Sequence, residues 1–185
     1  LQARIRPHFL FNSMNAVLSL IRSHPKQAET ALEDLADLFR VLMADNRNLV
    51  PLAQEIALCR QYCGLEKLRL EERLNVVWQI DEKALGAKIP PLILQPLLEN
   101  AVYHGIEPIA EGGTITIHIA YQDHRLQMTM TNPLTENARQ HQGNKMAINN
   151  IKERLHLHFD IEAKLTIKRE QGTYQVQIET PYVGV

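Results

Sequence analysis

Behind Pro25, the residues Ala28, Leu32, Leu35, Phe39 and Leu42 recur at alternating spacings of four and three. That rhythm is the seam of a coiled coil or a four-helix bundle, and it constrains the fold more than any other feature. Another helix precedes it. From residue 1 to about residue 23 the apolar side chains Phe9, Leu10, Met14, Val17, Leu20 and Ile21 share one side, while His8, Asn12, Asn15 and Ser19 share another. The stretch HPKQ breaks this helix, and Pro25 suits the first turn of the next, which is predicted to run to about residue 46. A lone hairpin cannot bury two such faces. Dimerisation into a four-helix bundle is the economical solution.

A third helix is predicted to start at Pro51 and run through LAQEIALCRQYCGLEKLRL, with Gly64 as a weak point inside it. Beyond it the apolar pattern changes from helical to alternating. Residues 74–80 read as a strand, and Ile89-Pro90-Pro91 introduces a helix carrying Glu99 and Asn100, for which Gly105 is a natural C-terminal stop. Two alternating strands, 114–121 and 126–131, are linked by a short turn. A polar stretch from Asn132 to about Lys145 precedes a helix over about 147–158. Two last strands, 163–169 and 174–180, form a hairpin across Gln171-Gly172. The mixture predicts an α+β chain: a helical hairpin over 1–50, a connecting helix over 51–70 and a two-layer α/β sandwich over 71–185.

Composition narrows the function classes. With 45% hydrophobic and 22% charged residues the chain is ordinary globular protein. Twenty basic against 21 acidic residues, a formal charge of -1, give no global attraction to nucleic acid, so no direct nucleic-acid partner is expected. The longest apolar stretch, IPPLILQPLL, carries three prolines and is too short to cross a bilayer. No signal peptide is recognisable, and the opening LQARIR, already in helical register, points to a missing upstream part. Cys59 and Cys63, without further ligands at metal spacing, read as buried small hydrophobes in a reducing cytoplasm.

Two segments carry the chemistry. RPHFLFNSMN places His8 on the first helix, and LLENAVYHG places Glu99, Asn100 and His104 near the end of another. A phosphorylatable histidine and a polar cluster suited to nucleotide or metal point to phosphoryl transfer. PHFLFNSMN resembles the phosphoacceptor segment of the LytS/YehU-type sensor histidine kinases, PPLILQPLLENAVYHG resembles their N box, and NNIKERL with its closing hairpin resembles the end of their nucleotide-binding domain. The resemblance covers nearly the whole chain in the expected order. It implies a dimeric helical hairpin joined to a Bergerat-type (GHKL) ATP-binding domain, the α/β sandwich shared with gyrase, MutL and heat-shock chaperones. It further implies ATP and Mg²⁺ as cofactors, a response regulator with a LytTR DNA-binding domain as partner, and a site at the cytoplasmic face of the bacterial inner membrane, reached through a missing N-terminal sensor region.

Chemically, a phosphoacceptor histidine needs an exposed, largely neutral imidazole nitrogen, which histidine supplies near pH 7. Pro7 removes a backbone donor beside His8, Arg4 and Arg6 are close enough in sequence to neutralise an incoming phosphoryl group, and Asn12 lies one turn on. Asn100 would hold Mg²⁺ through its side-chain oxygen. Glu99 would orient a water or polarise the acceptor, and His104, one turn beyond Asn100, would contact phosphate. The bland readings are a solvated surface histidine and the exposed end of an amphipathic helix.

The remainder of the pocket departs from the family pattern. Asn132 stands where an aspartate would accept the adenine amino group, with no glycine after it. The glycine-rich loop reads Gly143-Asn144-Lys145-Met146-Ala147, keeping one glycine of three. Lys145 would replace backbone contacts to phosphate with a point charge, and Asn150 would touch phosphate from the following helix. Arg154 reads as structural. His156 and His158, with His141 upstream, read as solvated histidines, and Trp78 and Tyr62 as core or interface. ENARQHQGNK reads as a connector, a nucleotide lid, or both. Three functions remain open: an autophosphorylating histidine kinase core, a degenerate kinase serving as a regulator-binding scaffold or phosphatase with weak or no ATP binding, and an ATP-driven gate or clamp.

Overall fold

Pro7 opens helix α1 (Pro7–Leu20) and Pro25 opens α2 (Pro25–Met43), each in a first turn where the missing N–H has no intrahelical partner to lose. The computed structural model describes residues 6–44, 47–135 and 142–184. The expected helical residues 1–5 and 45–46, and the part of the polar stretch over 136–141 that includes His141, lie outside the described residues. A third helix, α3 (Leu52–Leu70), packs against both others, with the Phe9 and Tyr62 ring centroids 5.1 Å apart. It offers a partner surface that the hairpin alone lacks, and the seam of α2 is displaced accordingly. Ala28, Ala31, Leu35, Leu38 and Leu42 are buried, whereas Leu32 is exposed and Phe39 only half-buried. A second apolar row stays at the surface: Phe11, Met14 and Leu18 on α1 with Ile21 at its C-terminal cap, and Leu32 and Met43 on α2. Cys59 is fully buried beside this core, and burial pushes the half-buried Cys63 thiol up to about 12.

The short strand β1 (Val50–Pro51) pairs antiparallel with β3 (Lys88–Ile89). The main sheet contains β2 (Leu74–Ile80), β4 (Gly113–Gln122), β5 (Arg125–Pro133), β6 (Lys164–Glu170) and β7 (Thr173–Pro181). Its order is β2-β4-β5-β7-β6, parallel only between β2 and β4. The crossover between those two carries α4 (Leu94–Asn100). Both hairpins turn on two residues with left-handed backbones, Asp123-His124 (φ 50° and 61°) and Gln171-Gly172 (φ 49° and 75°), which matches the right-handed twist of the flanking strands. Period-2 alternation places Ile115, Ile117, Ile119, Leu126, Met128, Met130, Val176 and Ile178 in the core. Helix α5 (Gln142–Phe159) adds Ile148, Ile151 and Leu155 to the same core. The result is α+β: a helical part followed by a mixed sheet covered by helices.

Two expectations are corrected. Gly105 does not end its helix, because α4 widens into a π-helical turn (Ala101–Ile106) that runs past it. The stretch Gly143 to Ala147, expected as a glycine-rich loop ahead of a helix, is already helical within α5. With one glycine of three left, nothing holds this segment out of helical geometry. Among the described residues no helix is long and apolar enough to cross a membrane.

Candidate active site

Helix α4 has no capping side chain of its own. Glu55 reaches it from α3: the buried carboxylate accepts N–H bonds from Leu92 (3.1 Å), Leu94 (3.0 Å) and Gln95 (3.3 Å). Burial pushes the Glu55 carboxyl up, and these backbone amides oppose the shift. Arg154 of α5 donates to the carbonyls of Pro91 (2.8 Å) and Leu92 (3.4 Å) on the same turn, the structural role read from its sequence position. Leu92 itself is held at φ 57°, a left-handed conformation that a leucine keeps only where its surroundings enforce it.

Held in this way, α4 delivers Glu99 and Asn100 as buried polar groups. Gln95 donates to Glu99 Oε2 at 3.1 Å. Arg6, just ahead of α1, lies with its Nε 3.1 Å from Glu99 Oε1 and donates to Asn100 Oδ1. Burial pushes the Glu99 carboxyl up, while the Arg6 charge and the Gln95 bond pull it back. Asn100 Nδ2 donates to Asn144 Oδ1 at 3.2 Å, and Asn144 donates to the Tyr174 hydroxyl at 3.5 Å.

Tyr103, in the π-helical turn, ties the start of α1 to this cluster. The Arg6 guanidinium carbon stands 4.8 Å from the Tyr103 ring centroid, and the His8 ring meets Tyr103 edge-on at 5.9 Å. His104 contacts the same ring at 4.9 Å. His8 is exposed, and Asn12 Nδ2 lies 3.3 Å from its Nε2. Asn132 is buried against Gly105, and its Nδ2 donates to the Pro133 carbonyl at 2.8 Å.

The structure thus brings His8 and His104 onto Tyr103, joins Glu99 and Asn100 to the same ring through Arg6, and sets Asn132 against the same helical turn. Gly143 lies in the first turn of α5, and Lys145 and Asn150 are exposed on that helix. Arg6 was legible only as a neighbour of His8. Tyr103, Asn144 and Glu55 were missed; Tyr103 and Asn144 stand inside the motifs without matching a motif position, and Glu55 carries no local signal. The donor set suits a hard cation: a carboxylate oxygen and a carboxamide oxygen already converge on one positive group, Arg6.

A profile of the family described as histidine kinase matches residues 1–74. The sensor protein LytS of Oceanobacillus iheyensis is 30% identical over 199 residues, covering 98% of this chain and 34% of that protein. The chain belongs to the LytS-type sensor histidine kinases. Sensor histidine kinase YpdA of Escherichia coli is 35% identical over 132 residues, 70% of this chain and 23% of that protein. This LytS-type chain therefore spans about a third or less of the length of these relatives. The histidine kinase domain of a blue-light activated kinase from Erythrobacter litoralis shares the fold, with a TM-score of 0.52 at 16% identity over 98% of this chain and 88% of that one.

Proposed function

We propose that this chain is the kinase core of a two-component sensor, transferring the γ-phosphoryl group of ATP to His8 and from there to an aspartate of a response regulator, one with a LytTR DNA-binding domain. The observation that carries the reading is the meeting of two distant motifs: His8 and Arg6 rest on Tyr103, in the turn that follows Glu99 and Asn100. In the transfer the lone pair of a His8 ring nitrogen forms the N–P bond, the bond from phosphorus to the β,γ-bridging oxygen breaks, ADP leaves, and the proton on the other ring nitrogen passes to water. Asn12 orients the imidazole. Glu99 polarises the acceptor, and Asn100 would provide a side-chain oxygen for Mg²⁺, which when bound neutralises phosphate charge. His104, Lys145 and Asn150 serve as phosphate contacts, Gly143 lets the α5 N-terminus approach, and Asn132 receives the base. The exposed apolar row on α1 and α2 is the homodimer face. In the cell the active species sits at the cytoplasmic face of the inner membrane, attached through a sensor region outside this chain.

The test is incubation with γ-labelled Mg·ATP, comparing the chain with His8→Gln and Asn100→Ala. An acid-labile, alkali-stable label that both substitutions abolish is the expected result. Labelling that survives His8→Gln would sink the assignment. Absence of any label, with regulator binding intact, would replace it by the scaffold reading.

A further inference from the structure

Arg6 occupies the position where the proposed site needs its metal. Its side chain is 28% exposed and that of Glu99 11%, so the ion pair is largely withdrawn from solvent, where charge-assisted contacts gain strength. Three separate contacts define its placement: the Glu99 carboxylate at 3.1 Å, the Asn100 carboxamide oxygen, and the face of Tyr103 at 4.8 Å. Asn100 cannot turn away cheaply, because its Nδ2 is committed to Asn144 at 3.2 Å. Its Oδ1 therefore points at whichever cation is present. A magnesium ion sits about 2.1 Å from an oxygen ligand, which leaves no room for a guanidinium on the same oxygen, and two positive centres so close repel each other.

We propose that Arg6 is the built-in cation of the nucleotide-free site: it holds Glu99 and Asn100 in place, and Mg·ATP binds by displacing it. The proposal rests on Asn100 being the metal ligand. Displacement has a consequence at the acceptor. Arg6 and His8 are two residues apart and both lean on Tyr103, so the step that loads the nucleotide also loosens the segment that carries the phosphoacceptor. Loading the donor and freeing the acceptor become one event.

The alternatives predict different signs. If Arg6 is a phosphate-binding arginine, its removal weakens nucleotide binding. If its ion pair is merely structural, removal lowers stability and leaves binding alone. If it competes with the metal, removal tightens Mg·ATP. The test is calorimetric titration of the 185-residue chain with ATP, in magnesium and in EDTA, for the parent, Arg6→Gln, Arg6→Lys, Asn100→Ala and the Arg6→Gln/Asn100→Ala double variant. We expect Arg6→Gln to bind Mg·ATP about tenfold more tightly, with little change for metal-free ATP. Arg6→Lys, which keeps the charge but loses the fork, falls between. The gain should vanish in the Asn100→Ala background. Hydrogen exchange gives a second readout: amides of the first turn of α1 should exchange faster in the parent when Mg·ATP is added, and fast from the outset in Arg6→Gln.

Unchanged or weaker Mg·ATP binding in Arg6→Gln, with Asn100→Ala still abolishing it, overturns the Arg6 proposal and leaves the metal site standing. Binding that ignores Asn100→Ala overturns the metal assignment and the proposal with it. No binding in any variant overturns both.

Discussion

A β-carbon on Gly105 would stand 2.4 Å from Asn132 Nδ2 and 2.9 Å from its Cγ, a contact that real side chains do not make. Read along the helix, Gly105 was a stop signal; its actual reason lies across the fold, in a buried asparagine of β5. Gly105→Ala is expected to displace Asn132, to cost about 1–3 kcal/mol by overpacking in urea unfolding, and to weaken Mg·ATP binding. Parent-like values in both measurements would show that Asn132 moves freely. The charge of Glu66, too, is governed by its surroundings. It is buried on α3, 2.6 Å from Arg69, which also pairs with Glu107. Burial raises its carboxyl pKa, and the Arg69 charge only partly opposes this. A folded state that binds the proton more tightly than the unfolded one gains stability below the unfolded carboxylate value of about 4.3 and loses it as pH rises through the raised folded value. Urea unfolding of the parent should therefore carry a falling contribution across that window, which Glu66→Gln removes. A parallel pH dependence for the two proteins would refute it.

Among the elements, the strands of the main sheet were legible and the short β1 and β3 were not, while helix starts were legible where a proline marks them. Alternation located all five strands of the main sheet to within one or two residues, because each keeps one face in the core; the pairs that turn each hairpin stood out as polar or glycine-bearing breaks. Helix α5 was expected several residues late because Gly143 suggested a loop, a local cue outweighed by its helix-compatible neighbours. The start of α4 was legible to within a few residues from Ile89-Pro90-Pro91, but its cap was not, since that comes from Glu55, 37 residues upstream of Leu92. That long-range cap makes α3 the support of the Glu99–Asn100 turn. Glu55→Ala leaves buried amides of Leu92, Leu94 and Gln95 without their acceptor, at a cost of roughly 2–4 kcal/mol. Glu55→Gln, which keeps one acceptor oxygen, should lose less. Denaturant melts check the order, and equal losses would show that water replaces the carboxylate.

At the scale of the molecule, the seam of α2 divides between two tasks. Its row Ala28, Leu35 and Leu42, joined by Ala31 and Leu38, is buried within the chain. Leu32 stays exposed with Met43, and α1 with its C-cap adds Phe11, Met14, Leu18 and Ile21 at spacings of three, four and three. By periodicity alone the hairpin has two apolar faces and no partner, which calls for a second copy. α3 covers one of those faces, which periodicity could not show, and the other still has the spacing of a helix-packing stripe. An exposed apolar stripe along α1, with further exposed apolar residues on its packed neighbour α2, is a surface that water opposes and an identical hairpin satisfies, by closing four helices around it. Leu18, at 63% exposure, contributes nothing to the core of its own chain. Leu18→Glu should therefore leave the circular dichroism spectrum unchanged while turning a dimer into a monomer in sedimentation equilibrium. A parent chain that sediments as a monomer at high concentration, or a Leu18→Glu chain that remains dimeric, would place the dimer contact elsewhere.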